Sequence, residues 1–199
     1  MNNSMIYRAL VPEEIRLSEY ELRARLGGDV SAAGELVCEA RRRLREIIRP
    51  AFCARLVKIA CTGDGGVTLG QTTVRSEALV KNLAGAESAY LVALTLGAGV
   101  DRELLLASEL SMSRRFVLDA TASAMADAAM DMAEDILCEG YSHSPRFSPG
   151  YGDLPLDIQR DILLMLSADR LLGITLTKEN LMIPTKSITA IIGIKDKKM

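Results

Sequence analysis

Apolar residues recur along this chain at two spacings, and the switches between them lay out its elements. From Ser31 to about Arg49, the residues Leu36, Val37, Leu44, Ile47 and Ile48 build one apolar helical face. Ser31 stands where an N-cap is wanted, and Pro50 closes the segment because it disfavours helical geometry in the residue before it. Ser18 to Leu26 has helical composition and meets a stop at Gly27-Gly28. Phe52 to Cys61 and Val67 to Leu69 read as strands joined by the turn Thr62-Gly63-Asp64-Gly65-Gly66. A short helix is predicted over Ser76 to Leu83, an apolar strand over Ser88 to Leu96, and a helix from about Val100 to Leu110.

Ser111 or Ser113 opens the longest helix, which runs to about Glu139 and stops at Gly140. Ala120, Ala122, Ala124, Ala126, Ala128 and Ala129 make it thin on several sides, so neighbours can approach its backbone and a central place is predicted. Tyr141 to Pro155 reads as a loop rich in Gly, Pro and Ser, followed by an amphipathic helix over Leu156 to Leu166. Ile174 to Leu176 and Ser187 to Ile194 form the last strands, with Pro184 between them. Strands and helices do not alternate strictly. The fold class predicted is therefore α+β, a largely antiparallel sheet packed with helices, in one domain spanning 1–199. Within it, 1–85 supplies N-terminal helices and a hairpin, and 86–199 the core.

Composition narrows the function. The chain has 199 residues, 49% hydrophobic and 25% charged, enough to bury a core without disulfides or structural metal. A net charge of −2 gives no general attraction for phosphate backbones, so nucleic acid is not an expected partner. Cys38, Cys53, Cys61 and Cys138 form no CxxC pair, and with the single His143 they give no zinc-ligand spacing, so no metal is expected. Residues 1–14 show no export signal, and scattered thiols suit a reducing compartment. The most apolar stretch, Ala89 to Leu96, is too short to cross a bilayer. The expected location is cytoplasmic, away from the membrane.

Several patterns could carry chemistry. Leu96-Gly97-Ala98-Gly99 between strand and helix supplies the first two glycines of GxGxxG, but Arg102 takes the third place, which leaves an ordinary turn. Arg41, Arg45 and Arg49 share a helix face that Arg42 and Arg43 widen and Glu39 and Glu46 partly neutralise. That face is either solvated or a dock for an acidic redox protein. Asp119, Ser123, Asp127 and Asp131 recur every four residues and could hold an amino group or oppose a sulfonium; a polar outer face is the other reading. With no GxSxG and one histidine, no triad can be built and no catalytic residue is assigned. The loop Pro145 to Asp153 joins one arginine, two glycines and aromatic rings. Those parts suit a zwitterionic aromatic ligand: guanidinium for a carboxylate, bare backbone for an adenine edge, a ring for stacking. A Pro/Gly-rich turn has the same composition.

Arg146-Phe147-Ser148-Pro149-Gly150-Tyr151, followed by the helix Asp157 to Leu166, resembles the R-x-x-P-G-Y segment of the cobalamin-dependent methionine synthase activation domain. Leu172 to Glu179 is similar to that family's G-x-x-L-T-E stretch, and Met182 to Ala190 to its M-x-P-x-x-S-V-S-G. The three blocks keep order and spacing over about Arg146 to Gly193, while residues 1–85 look more like the family's free-standing members. The resemblance implies S-adenosylmethionine as the bound cofactor, held by the 86–199 core. It also implies a module that supports reductive remethylation of cob(II)alamin on a cobalamin-dependent methionine synthase acting in trans, with a flavodoxin-type or other one-electron donor. Carried over by position, Arg146 holds the methionyl carboxylate, Ser148 and Gly150 present backbone to the adenosine, Tyr151 lines the site, and Asp127 matches an acidic residue on the long helix. Ser142-His143-Ser144 lacks the D-x-H-x-x-G pattern of cobalt-ligating corrinoid domains, so cobalamin is expected from the partner. A downstream tyrosine with its closing helix, and an early acidic ligand contact, have no counterpart here, which implies weak affinity until a partner completes the pocket. Two other readings stay open: an independent small-molecule methyltransferase, which would turn over alone, and a non-catalytic docking subunit, which would bind no S-adenosylmethionine.

Overall fold

The computed structural model describes residues 4–27 and 34–197. In chain order its strands are β1 (Ile6–Ala9), β2 (Ala51–Cys61), β3 (Gly66–Leu69), β4 (Thr72–Arg75), β5 (Ser88–Thr95), β6 (Tyr141–His143), β7 (Thr175–Leu176), β8 (Met182–Ile183) and β9 (Ser187–Lys197). The helices are α1 (Glu19–Arg25), α2 (Gly34–Ile47), α3 (Glu77–Asn82), α4 (Gly99–Leu110), α5 (Met112–Leu137), α6 (Ile158–Leu166) and α7 (Ala168–Leu172).

A seven-stranded antiparallel sheet runs in the order β4-β3-β2-β5-β9-β6, with β1 added on β2, and β7-β8 form a separate ribbon. The class is α+β, as the pattern of elements predicts. β5 is the centre: Ser88 to Thr95 pair with Lys58 to Ala51 on one side and with Ile194 to Ser187 on the other. Successive side chains of a strand point to opposite faces, and both faces of this sheet are covered. Phe52, Ala54, Val92, Leu94, Ala190 and Ile192 pack beneath the layer of α1, α2, α4 and α5. Cys53, Val57, Leu91, Ala93 and Ile191 pack against α3, α6 and α7. Burial on both faces is why β5 reads as a continuous apolar run rather than an alternating one.

Helix α5 lies inside its layer, packed on α2 and α4. Ala122, Ala124, Ala129 and Ala133 are fully buried, and small side chains are what allow backbones to come close there. α1 and α3 are capped by the first residues of their predicted segments: Ser18 Oγ accepts from the Glu21 N–H, and Ser76 Oγ accepts from the Leu79 N–H. Ser111 precedes α5 in extended geometry without a side-chain cap bond. Ser31 and Gly28 lie outside the described residues. Gly99 answers to packing: a Cβ there would sit 2.8 Å from the Ile47 carbonyl oxygen, at the end of α2. With β5 inside an antiparallel sheet, the parallel βαβ unit of a dinucleotide fold does not exist at this turn. The expected arginine face is only partly formed: α2 ends at Ile47, so Arg49 lies beyond the helix and Arg45 is exposed, while Arg41 pairs with Glu19 at 2.6 Å and the flanking Arg43 with Glu103 at 2.8 Å. Arg49 turns back to the Ile48 carbonyl at 2.7 Å.

Replacing Ala124 by Leu should destabilise the protein by about 1–3 kcal/mol, because extra methylenes in a close-packed interior force neighbours off their rotamers. Asp135→Ala, on an exposed position of the same helix, should shift stability by no more than about 0.5 kcal/mol. Urea unfolding of the two variants checks the contrast.

Candidate functional site

The segment after α5 is not free loop. β6 pairs with the end of β9, and two further contacts extend that pairing. The Ser144 N–H donates to the Gly193 carbonyl at 2.8 Å, while the Gly193 N–H donates to Ser144 Oγ at 2.9 Å. Phe147 and Ile191 then exchange both backbone bonds, at 2.9 and 2.8 Å. Gly193 makes this approach possible, since a Cβ there would come within 2.8 Å of Leu83 Cδ2 and 3.2 Å of Ser144 Oγ.

Past Phe147 the chain turns on itself. The Tyr151 N–H donates to the Ser148 carbonyl at 3.0 Å, the Gly150 N–H to the Leu154 carbonyl at 2.9 Å, and the Leu154 N–H to the Tyr151 carbonyl at 2.9 Å. Gly150 sits at φ +86°, a left-handed conformation that glycine adopts without a steric cost. Asp153 then anchors the loop to the start of α3. Its carboxylate accepts from the Ser76 hydroxyl and from the N–H groups of Glu77 (2.8 Å) and Ala78 (3.2 Å). The Ser76 hydrogen bond, aided by those backbone N–H groups, holds the Asp153 carboxyl below its ordinary pKa. A second tie runs from Asn82 Nδ2 to the Pro145 carbonyl at 3.0 Å. The aromatic part is Phe147 against Tyr151, edge to face with ring centroids 6.2 Å apart, and Tyr151 is 60% exposed.

Arg146 leaves this loop toward α5. Its guanidinium donates to Asp131 and to Glu134 Oε2 at 3.4 Å. Glu134 Oε1 lies 3.2 Å from His143 Nδ1. Burial opposes the Arg146 charge, but the hydrogen bond to Asp131 and the charges of Asp131, Glu134 and Asp127 outweigh it and raise its pKa. The stripe on α5 is therefore a row of ion pairs rather than a solvated face. Asp119 meets Lys186 at 2.9 Å, Ser123 accepts from the same ammonium at 2.8 Å, Asp127 pairs with Arg25, and Asp131 pairs with Arg146.

The structure thus brings Arg146, Ser148, Gly150 and Tyr151 into one loop and sets Asp127 one turn of α5 from Asp131, the partner of Arg146. Ser148 and Gly150 each spend a backbone group inside the turn. Glu134, His143, Arg25 and Lys186 complete the polar surroundings and carry no motif. Arg25 and Asp127 are 102 residues apart in sequence, so no local spacing could announce their pairing. A cleft of about 470 Å³ lies elsewhere, between Glu13, Cys38, Arg41, Arg42, Arg45 and Glu46. Among the described residues no cluster of three His, Cys, Asp or Glu side chains could hold a metal ion. No described helix is long and apolar enough to cross a membrane.

These features define a class of domain: an antiparallel sheet between two helical layers, with a Gly/Pro-rich loop pinned at its β9 edge. No protein-family model matches the sequence, and no curated protein matches it. Among solved structures the chain is similar to the crystal structure of the MetH reactivation domain bound to AdoHcy, with a TM-score of 0.74 and 15% sequence identity. The match covers 98% of this chain and 80% of that one, and at this identity it establishes a shared fold.

Asp153→Ala should release the loop from α3 and raise amide hydrogen exchange over residues 148–153, while β5 stays protected. The sign with pH follows from the depressed folded pKa of Asp153. Its contribution is complete above the ordinary carboxylate value and is lost as pH falls through the lower, folded one. Acidification should therefore lower the protection of this loop, measured against the intrinsic exchange rate at each pH, in the parent protein and leave the protection of the Asp153→Ala loop unchanged.

Proposed function

We propose that this chain binds S-adenosylmethionine beside the 146–152 loop and serves in trans as a reactivation module for a cobalamin-dependent methionine synthase. The observation that carries the reading is the placement of the R-x-x-P-G-Y segment. It is pinned at both ends, directs Arg146 toward α5 and exposes Tyr151, on the fold shared with a reactivation domain bound to AdoHcy.

The residues present suit the ligand. Arg146 offers a planar fork to an α-carboxylate. Asp127, one helical turn from Asp131, offers a carboxylate to an ammonium or a sulfonium. Ser148 and Gly150 bring backbone near an adenine edge, and Tyr151 a ring face. S-adenosylmethionine, when bound, supplies an activated methyl group. Cobalamin and the one-electron donor belong to the partners, and this chain's residues position the ligand and shield it from water. Positioning needs no general base, in keeping with a loop whose only nearby histidine, His143, is engaged with Glu134 and with the Ser144 carbonyl.

Titration calorimetry with S-adenosylmethionine, alone and with a cobalamin-loaded synthase, tests the reading. Arg146→Ala should weaken binding by about 1.5–3 kcal/mol, the range for a hydrogen bond to a charged group. Asp127→Asn should also weaken it. Asp131→Asn should not, because Asp131 competes with the ligand carboxylate for Arg146, and its removal should tighten binding by up to about 1 kcal/mol. Equal affinity in the parent, Arg146→Ala and Asp127→Asn forms would detach these residues from the ligand.

A further inference from the structure

A second polar cleft lies on the other face of the sheet. Arg55 follows Cys53 and precedes Val57 at the two-residue spacing of one strand face, and both of those neighbours belong to the core under α3, α6 and α7. Arg55 opens there into a cleft of about 350 Å³ beside Gln71, at the β3–β4 turn, and Ser167, at the α6–α7 junction. Val57, Leu164 and Met165 form its apolar wall.

Arg55 differs from the other half-buried arginines in having no counter-charge. Arg41 and Arg146 each have a carboxylate within 4 Å, whereas none of the described residues places one there for Arg55. Its Nε is buried and has no hydrogen-bond partner among the described residues. A buried donor left unmatched is costly. The terminal nitrogens of the guanidinium, which unlike Nε are not buried, match the two oxygens of a carboxylate. Gln71 and Ser167 can add hydrogen bonds at the rim. Leu164, 70% exposed, is an apolar lip of the kind a hydrocarbon chain covers. The cleft volume is in the small-molecule range.

We propose that this cleft is a binding site for a small carboxylate with an apolar body, its carboxylate on Arg55 and its hydrocarbon part against Val57, Leu164 and Met165. The site is separate from the Arg146 loop. β5 and β9 lie between β2 and β6, a span of about 14 Å at ordinary strand spacing, and Arg146 turns to the opposite face, toward α5. It therefore stands or falls independently of S-adenosylmethionine binding.

NMR titration of the full chain with acetate, butyrate, hexanoate and inorganic phosphate tests the proposal. Saturable shifts should centre on the amides of Arg55, Gln71 and Ser167, with affinity rising from acetate to hexanoate. Arg55→Gln should weaken hexanoate by about tenfold or more, as expected for a charge-assisted bond. Leu164→Ser changes an exposed side chain and so keeps the fold even where Arg55→Gln does not; it should flatten the rise with chain length. Unsaturable or scattered shifts, phosphate binding as well as hexanoate (an adventitious ion only), unchanged hexanoate affinity in a folded Arg55→Gln protein, or an unchanged chain-length trend in Leu164→Ser would each overturn it.

Discussion

The ladder between β5 and β9 sets the position of everything at the candidate site. Eight consecutive residues of each strand are in register, so β9 is held rigidly and its far edge is a fixed rail. Ile191 pairs with Val92's neighbour Leu91 on one side and with Phe147 on the other, so one residue links the centre of the core to the start of the 146–152 loop. The side chain of Ile191 is fully buried between the sheet and α6 at the same time. A shift of one residue in that register would turn Ile191 away from its core and carry Arg146 off its carboxylates, which is why apolar burial and site geometry cannot vary separately.

Charge then decides how the site is poised. Helix α5 is apolar where it meets α2 and α4, and elsewhere Asp119, Asp127 and Asp131 meet cations from just before β9, from α1 and from the β6–α6 loop. Lys186, Arg25 and Arg146 come from three distant parts of the sequence, so this row of pairs fixes how those parts lie along the helix. Half-exposed pairs of this kind contribute little net stability each. On the function proposed above, a zwitterionic ligand would exchange into the row carboxylate for carboxylate and ammonium for guanidinium.

Much of this was legible in the sequence where causes are local. Ser18 and Ser76 mark helix starts, the alanines from 120 to 129 mark a buried helix, and the uninterrupted apolar run of β5 marks a strand covered on both faces. The loop residues Arg146 to Tyr151 also stood out. What was not legible depends on partners far away in the chain. β6 is three residues long and exists because β9 offers an edge; β1 depends on β2 in the same way, and β4 is a largely polar strand that pairs with β3 in a hairpin. The tie from Asp153 to α3 spans 76 residues at its Glu77 contact and has no periodicity to reveal it. The same holds for the Asp127–Arg25 pair, which converts an ambiguous acidic stripe into a row of ion pairs.

The central claim is that this chain delivers a methyl group to cobalt held by another protein, and it is tested most directly by reactivation in solution. Inactive cob(II)alamin methionine synthase lacking its own activation domain is mixed with this chain, S-adenosylmethionine and a one-electron reductant, and the visible spectrum is followed. The account predicts conversion to methylcobalamin that requires every component and fails with Arg146→Ala. Reactivation that proceeds equally fast when this chain is omitted would contradict it.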